Sequence, residues 1–313
     1  MSTLEKKMPL LVLSGPTASG KTALSVCLAQ HCHAQIVCAD SMQIYAGLSI
    51  GTARPTEQEM QGVPHHLFGF LSVREDFSVA RYAEKAHQAI RQINQNGSLP
   101  MLCGGTGLYI QAVTENLTYT PQTADVQVRS HLKQRLEQEG AQILWNELNA
   151  IDPQTAARVH LNDHGRIVRA LEVYHTSGIT LSQQNLRSRA VPSPYRVCHL
   201  TLDYRDRERL YRRIDQRVDM MMQQGLEQEA IGFFRDPQAS TAAQAIGYKE
   251  LRPYLTGECS REQAVEQLKL STRRYAKRQL SWFRHMPDVK TLYCDDYPDL
   301  PSLTEAAIKQ IEF

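Results

Sequence analysis

The amino-acid sequence predicts an α/β fold in which helices flank a parallel sheet and an all-helical segment interrupts the chain. Three observations predict it. Short apolar runs alternate with longer amphipathic stretches, the run at 10–14 leads straight into the glycine-spaced octapeptide GPTASGKT, and residues 121–189 carry helical patterning with no convincing strand. The composition is ordinary for a globular chain: 313 residues, 42% hydrophobic and 22% charged, with 35 basic against 33 acidic side chains. The chain has no biased tract and no repeat, which excludes disordered, collagenous and solenoid classes. A net charge of +2 leaves any nucleic-acid role to local charge.

The elements follow in order. A buried strand at 10–14 precedes the glycine turn and a helix from Lys21 to about Gln30. A second apolar run, 34–39, ends at Asp40, and a third, 99–103, ends at Gly104, Gly105 and Thr106. Between them residues 78–96 form a helix closed by Gly97. Residues 1–120 and 196–313 are read as one core and 121–195 as the helical insertion, closed by the proline-bearing loop 191–195. A strand at 197–202 resumes the alternation, helices follow at 207–224 and 262–285, and a strand at 289–293 precedes a helix opened by the capping-box pattern Ser302 to Glu305. The apolar run beginning at Met8 is too short for a membrane span and lacks a signal-peptide profile, so a soluble, cytoplasmic protein is expected. Seven cysteines, an odd number without a CxxC pair, fit reduced thiols in that compartment.

Gly15, Pro16, Thr17, Ala18, Ser19, Gly20, Lys21 and Thr22 fit the P-loop form, in which backbone N–H groups surround phosphate oxygens at a helix N-terminus. Lys21 adds a point charge and Thr22 a hydroxyl for Mg²⁺. The core is therefore expected to be P-loop NTPase-like. A nucleotide hydrolase would place an acidic residue at the end of a neighbouring strand, but 99–103 runs into two glycines and a threonine. Asp40 is the carboxylate that emerges beside the loop, suited to a base or a metal-linked role, or to capping a turn.

On the helix after Asp206, Leu210, Ile214, Val218, Met221 and Met222 form a buried stripe by spacing, and Arg217 falls within it. A guanidinium there needs an anion, either a phosphate or a core carboxylate, unless it snorkels to the edge. No acidic residue lies between Glu266 and Asp288, while Lys269, Arg273, Arg274, Lys277, Arg278 and Arg284 supply positive charge. Val265, Leu268, Tyr275, Ala276, Gln279, Trp282 and Phe283 mark the packed side, leaving a charged face suited to a polyanion, or simply a solvated surface. Arg158, His160, His164, Arg166 and Arg169 are a second, less specific basic set. Cys27, His31, Cys32, His33 and Cys38 crowd together in sequence but belong to different elements, so no zinc site is expected; His65, His66, Asp295 and Asp296 receive structural readings.

Six motifs in this order, GPTASGKT at 15–22, DSMQIY at 40–45, IGTARP at 50–55, GGTGLY at 104–109, AIGYK at 245–249 and KRQLSWFR at 277–284, resemble those of the bacterial tRNA dimethylallyltransferases, also called tRNA isopentenyltransferases. The resemblance spans nearly the whole chain. It implies transfer of a dimethylallyl group from dimethylallyl diphosphate to N6 of the adenosine just 3′ of the anticodon, with Mg²⁺ as cofactor, by a monomer. It implies that the P-loop holds the diphosphate, with Thr22 at the metal, that Asp40 is the general base, and that Lys21, Thr106 and Arg217 complete the catalytic set. It further implies tRNA contacts at Asp40, Ser41, Met42, Gln43, Thr106 and Arg129. Gly165, Arg166, Ile167, Val168 and Arg169 belong to a further tRNA-contacting segment, as do Gln244, Ala245, Ile246, Gly247, Tyr248 and Lys249. The last segment holds Lys277, Arg278, Gln279, Leu280, Ser281, Trp282, Phe283 and Arg284. Arginine replaces Gln244 in some relatives. The helical insertion is expected on the anticodon stem-loop. The competing reading is a small-molecule P-loop kinase using ATP.

Overall fold

The computed structural model describes residues 7–119, 126–239 and 241–313. Six parallel strands form one sheet in the order β3-β2-β4-β1-β5-β6. β1 (Met8–Ser14) lies at its centre, between β4 (Leu99–Gly104) and β5 (Tyr195–Asp203), with β2 (Ala34–Cys38), β3 (His65–His66) and β6 (Val289–Tyr293) outside them. A central parallel strand is covered on both faces, which is why β1 is almost wholly apolar. Its alternate side chains serve two cores: Leu10 and Val12 pack on one face, Leu11 and Leu13 on the other.

Helices α1 (Lys21–Cys32) and α14 (Leu300–Ile308) cover the Leu11–Leu13 side; α3 (Val79–Gln95), α4 (Gly107–Thr114), α10 (Arg207–Gln223), α11 (Leu226–Arg235) and α13 (Arg261–Arg284) contribute to the other. Two single-turn helices, α2 (Glu57–Met60) and α12 (Arg252–Leu255), sit in connecting segments. The sequence pattern did not reveal α11 or the two-residue β3. Beneath the P-loop, Ser14 Oγ bonds His199 Nε2 at 2.8 Å and donates to Thr201 Oγ1 at 2.9 Å. Burial holds the His199 imidazole down at a pKa of about 4, so the ring is neutral there at physiological pH.

Two compact units emerge, Met1–Thr114 with Ser193–Phe313, and Glu115–Pro192. The insertion was read as 121–195. The unit begins six residues earlier, at Glu115, and Tyr195 belongs to β5, while the 120/121 boundary itself falls outside the described residues. Within the second unit, α5 (Val126–Glu139), α6 (Ala141–Ile151), α7 (Pro153–Ala156), α8 (His164–Ser177) and α9 (Leu181–Ser188) bury Leu132, Leu144, Leu148, Ile167 and Leu171.

Two expectations are corrected. α14 is opened by Asp299, whose carboxylate accepts from the Ser302 amide at 2.9 Å, so Ser302 is the third helical residue rather than the cap. Pro301 in the first turn is consistent with that start. The second correction concerns α13. Lys269 and Arg273 are not on an open charged face: Lys269 Nζ pairs with Asp219 at 2.8 Å and Arg273 with Asp215, both on α10.

Candidate functional site

All the chemistry converges at the C-terminal ends of the strands, where ligands of such sheets bind. β1 delivers the P-loop, β2 delivers Asp40, and β4 delivers Gly105 and Thr106. Gly20 caps α1 and brings no side chain to the helix N-terminus, where first-turn N–H groups suit an anion. Ala18 adopts φ 61°, a left-handed conformation costly for alanine; strain of this kind concentrates at functional loops. Lys21 Nζ donates to the Pro16 carbonyl at 2.7 Å. Burial lowers the lysine pKa to about 8; Cys103 opposes that shift, while the neighbouring Arg217 adds to it and Asp40 opposes it more weakly.

Asp40 is held as an Asx turn. Its Oδ1 accepts from the amides of Met42 at 2.9 Å and Gln43 at 3.3 Å, which fixes the carboxylate plane. Thr106 locks the same turn from β4: its amide donates to Ala39 O at 3.0 Å, and its Oγ1 accepts from the Ser41 amide at 2.9 Å. Gln43 Nε2 reaches on to the carbonyls of Thr52 and Ala53, and Glu229 accepts from the amides of Ser49, Ile50 and Gly51. Tyr248 donates to Glu229 at 2.6 Å, so the 50–55 and 245–249 motifs meet through one carboxylate that sequence reading passed over.

Arg217 lies beside the loop, its Nη1 donating to Thr17 Oγ1 at 3.4 Å. The guanidinium thus faces the P-loop, the placement that an anion-binding role requires. Burial lowers its pKa, and Asp40 opposes that shift. Arg213, one turn earlier, donates from Nε to Ala18 O at 2.9 Å and had escaped notice because it is off the apolar stripe.

The candidate RNA-facing segments divide into outward and inward residues. On α13, Arg274, Lys277, Arg278, Ser281 and Arg284 are exposed, while Gln279, Leu280 and Phe283 are buried. Arg284 is partly committed, to Asp203 at 3.2 Å. Trp282, expected on the packed side, is 37% exposed; its ring covers Gly107, where a Cβ would collide with the indole. Ala245, Gly247 and Tyr248 are buried, with Gln244 and Lys249 exposed. In the helical unit, Arg129, Gly165 and Arg166 are exposed, Arg169 pairs with the buried Glu172 at 2.9 Å, and Ile167 and Val168 are core residues. No cluster of three or more His, Cys, Asp or Glu that could hold a metal occurs among the described residues. No described helix is long and apolar enough to cross a membrane.

The model of a family described as IPP transferase matches residues 43–286. A Bacillus subtilis protein named tRNA dimethylallyltransferase is 47% identical over 284 residues, covering 90% of both chains; one of the same name from Symbiobacterium thermophilum is 48% identical over 280 residues, 89% of this chain and 87% of that one. Among solved structures, the full-length tRNA isopentenylpyrophosphate transferase of Bacillus halodurans superposes with a TM-score of 0.71 at 38% identity, over 97% of each chain. A eukaryotic dimethylallyltransferase acting on tRNA gives a TM-score of 0.80 at 28% identity, over 96% of this chain and 78% of that one. On matches of this length and identity, the chain belongs to the IPP transferase family.

Proposed function

We infer that the chain transfers a dimethylallyl group from dimethylallyl diphosphate to N6 of the adenosine immediately 3′ of the anticodon in tRNA, giving N6-isopentenyladenosine. The observation that carries this is the pairing of a phosphate cradle with a rigidly held carboxylate, Asp40, where β4 supplies glycines and a threonine in place of a hydrolase's acidic residue. The relatives' names support the transfer and give none to the kinase reading.

The step balances as follows. The bond from the allylic carbon to the diphosphate oxygen breaks, N6 forms the new bond to that carbon, and diphosphate leaves with the electron pair. The amine proton passes to the Asp40 carboxylate, whose Oδ1 is engaged by two amides so that Oδ2 is the oxygen to take it. The P-loop amides, Lys21 and Arg217 stabilise charge building on the leaving oxygens, which is stronger in the transition state than in the bound substrate. Mg²⁺ would be held by the Thr22 hydroxyl at the start of α1 together with the diphosphate, since such ions take oxygen ligands and keep water and substrate phosphate for the remaining positions. It would supply further charge neutralisation. Because an anticodon-loop base is stacked, the adenine must leave the stack to reach Asp40.

Transfer is tested by incubating the chain with Mg²⁺, labelled dimethylallyl diphosphate and unmodified tRNA; label in RNA supports it, and its absence refutes it. Two smaller predictions arise here. Lys277→Ala weakens tRNA binding and reduces the salt slope by about one counterion, whereas Lys269→Ala leaves the slope unchanged because Asp219 already neutralises that ammonium. Equality of the two slopes would remove Lys277 from the phosphate contacts. Diphosphate binds the protonated form of Lys21, so affinity falls as pH rises through about 8 and binding above that pH takes up a proton. Calorimetry in buffers of different ionisation enthalpy reads that proton, and heats independent of buffer would contradict it.

A further inference from the structure

Gln279 lies on α13 within the segment whose resemblance implied tRNA contact, yet it is 5% exposed and both of its polar atoms are engaged inside the core. Its Oε1 accepts the Thr17 amide of the P-loop at 2.9 Å, and its Nε2 donates to the Gly105 carbonyl at 2.8 Å. A Cβ on residue 105 would strike Nε2, so glycine there is what lets the amide approach. The outer face of the same turns presents Arg274, Lys277 and Arg278.

We propose that Gln279 is a positioning residue that sets the distance between the diphosphate cradle and the Asp40–Thr106 end of the site, from the helix that offers charge to RNA. This rests on the transfer reading above. A side-chain amide suits the task because it accepts from an N–H and donates to a carbonyl at once. The carbon under attack is placed by the cradle and the amine by Asp40, so the gap between the two limbs is the reaction coordinate. Thr17 N–H is thereby committed to protein, which leaves the later amides of the loop for phosphate.

Two variants test this in single-turnover transfer, with diphosphate KM, tRNA affinity and melting temperature measured alongside. Gln279→Met keeps volume and removes both bonds; the chemical rate should fall roughly 10- to 100-fold, as for a misplacement of about 1 Å, with tRNA affinity unchanged. Gln279→Glu keeps the bond to Thr17 but faces the Gly105 carbonyl with an acceptor. Its deficit relative to the parent at the same pH should shrink as pH falls and a protonated carboxyl regains a donor. A parent-like rate for Gln279→Met, or a Gln279→Glu deficit independent of pH, overturns the assignment. If Gln279→Met melts early, the pH dependence of Gln279→Glu decides alone. Failure of the parent chain to transfer at all overturns the functional reading instead.

Discussion

Asp40→Asn should reduce transfer by roughly 10²- to 10⁴-fold, the range expected for loss of a positioned general base, while tRNA affinity stays at the parent value. The carboxamide is nearly isosteric and its oxygen can still accept from the Met42 and Gln43 amides, so the Asx turn and the Thr106 latch onto Ser41 survive. What disappears is an oxygen basic enough to take the amine proton. Single-turnover rates with bound tRNA separate this from a binding defect. An Asp40→Asn protein with parent-like rates would refute the base assignment and leave the residue as a turn cap, the reading that sequence alone also permitted.

Lys21→Ala should cost about 10²- to 10³-fold in transfer, comparable with removing one preorganised donor from developing negative charge. The ammonium donates to the Pro16 carbonyl, and burial lowers its pKa to about 8. Holding a charge in that position is unfavourable without an anion, and under the proposed reaction the diphosphate would supply one. The loss should appear in both the diphosphate KM and the chemical rate, since the charge is present in the ground state and grows in the transition state. Unchanged values for both would place the diphosphate elsewhere.

The local part of this site was legible in the sequence, because glycine spacing, an apolar strand and a terminal aspartate are contiguous. Asp40, Thr106 and the P-loop sit just past the ends of strands that the apolar runs marked. The parts that escaped were made by distant partners. Helical spacing puts Gln279 on the packed side of α13, but its partners Thr17 and Gly105 lie 262 and 174 positions away and periodicity does not name them. Lys269 and Arg273 were read as an open basic face since the acids that neutralise them, Asp219 and Asp215, belong to α10; helical periodicity tells which residues share a face, not what packs on it. Arg217 was the intermediate case. Its conflict with the apolar stripe was visible, but only the packing of α10 beside the loop connects it to Thr17. Glu229 gave no signal at all, being an unremarkable helical glutamate until the 49–51 amides close around it.

If the P-loop grips a diphosphate that departs as carbon moves to tRNA, the two halves of the donor must part in the same reaction. A double-label experiment tests it most directly: dimethylallyl diphosphate carrying one isotope in the prenyl group and another in phosphorus, with Mg²⁺, unmodified tRNA and unlabelled ATP present. Carbon label is expected on N6 of the adenosine 3′ of the anticodon, with phosphorus label in free diphosphate in equal amount and no consumption of ATP. Phosphorus appearing in any acceptor, or ATP turnover without carbon transfer, would contradict it.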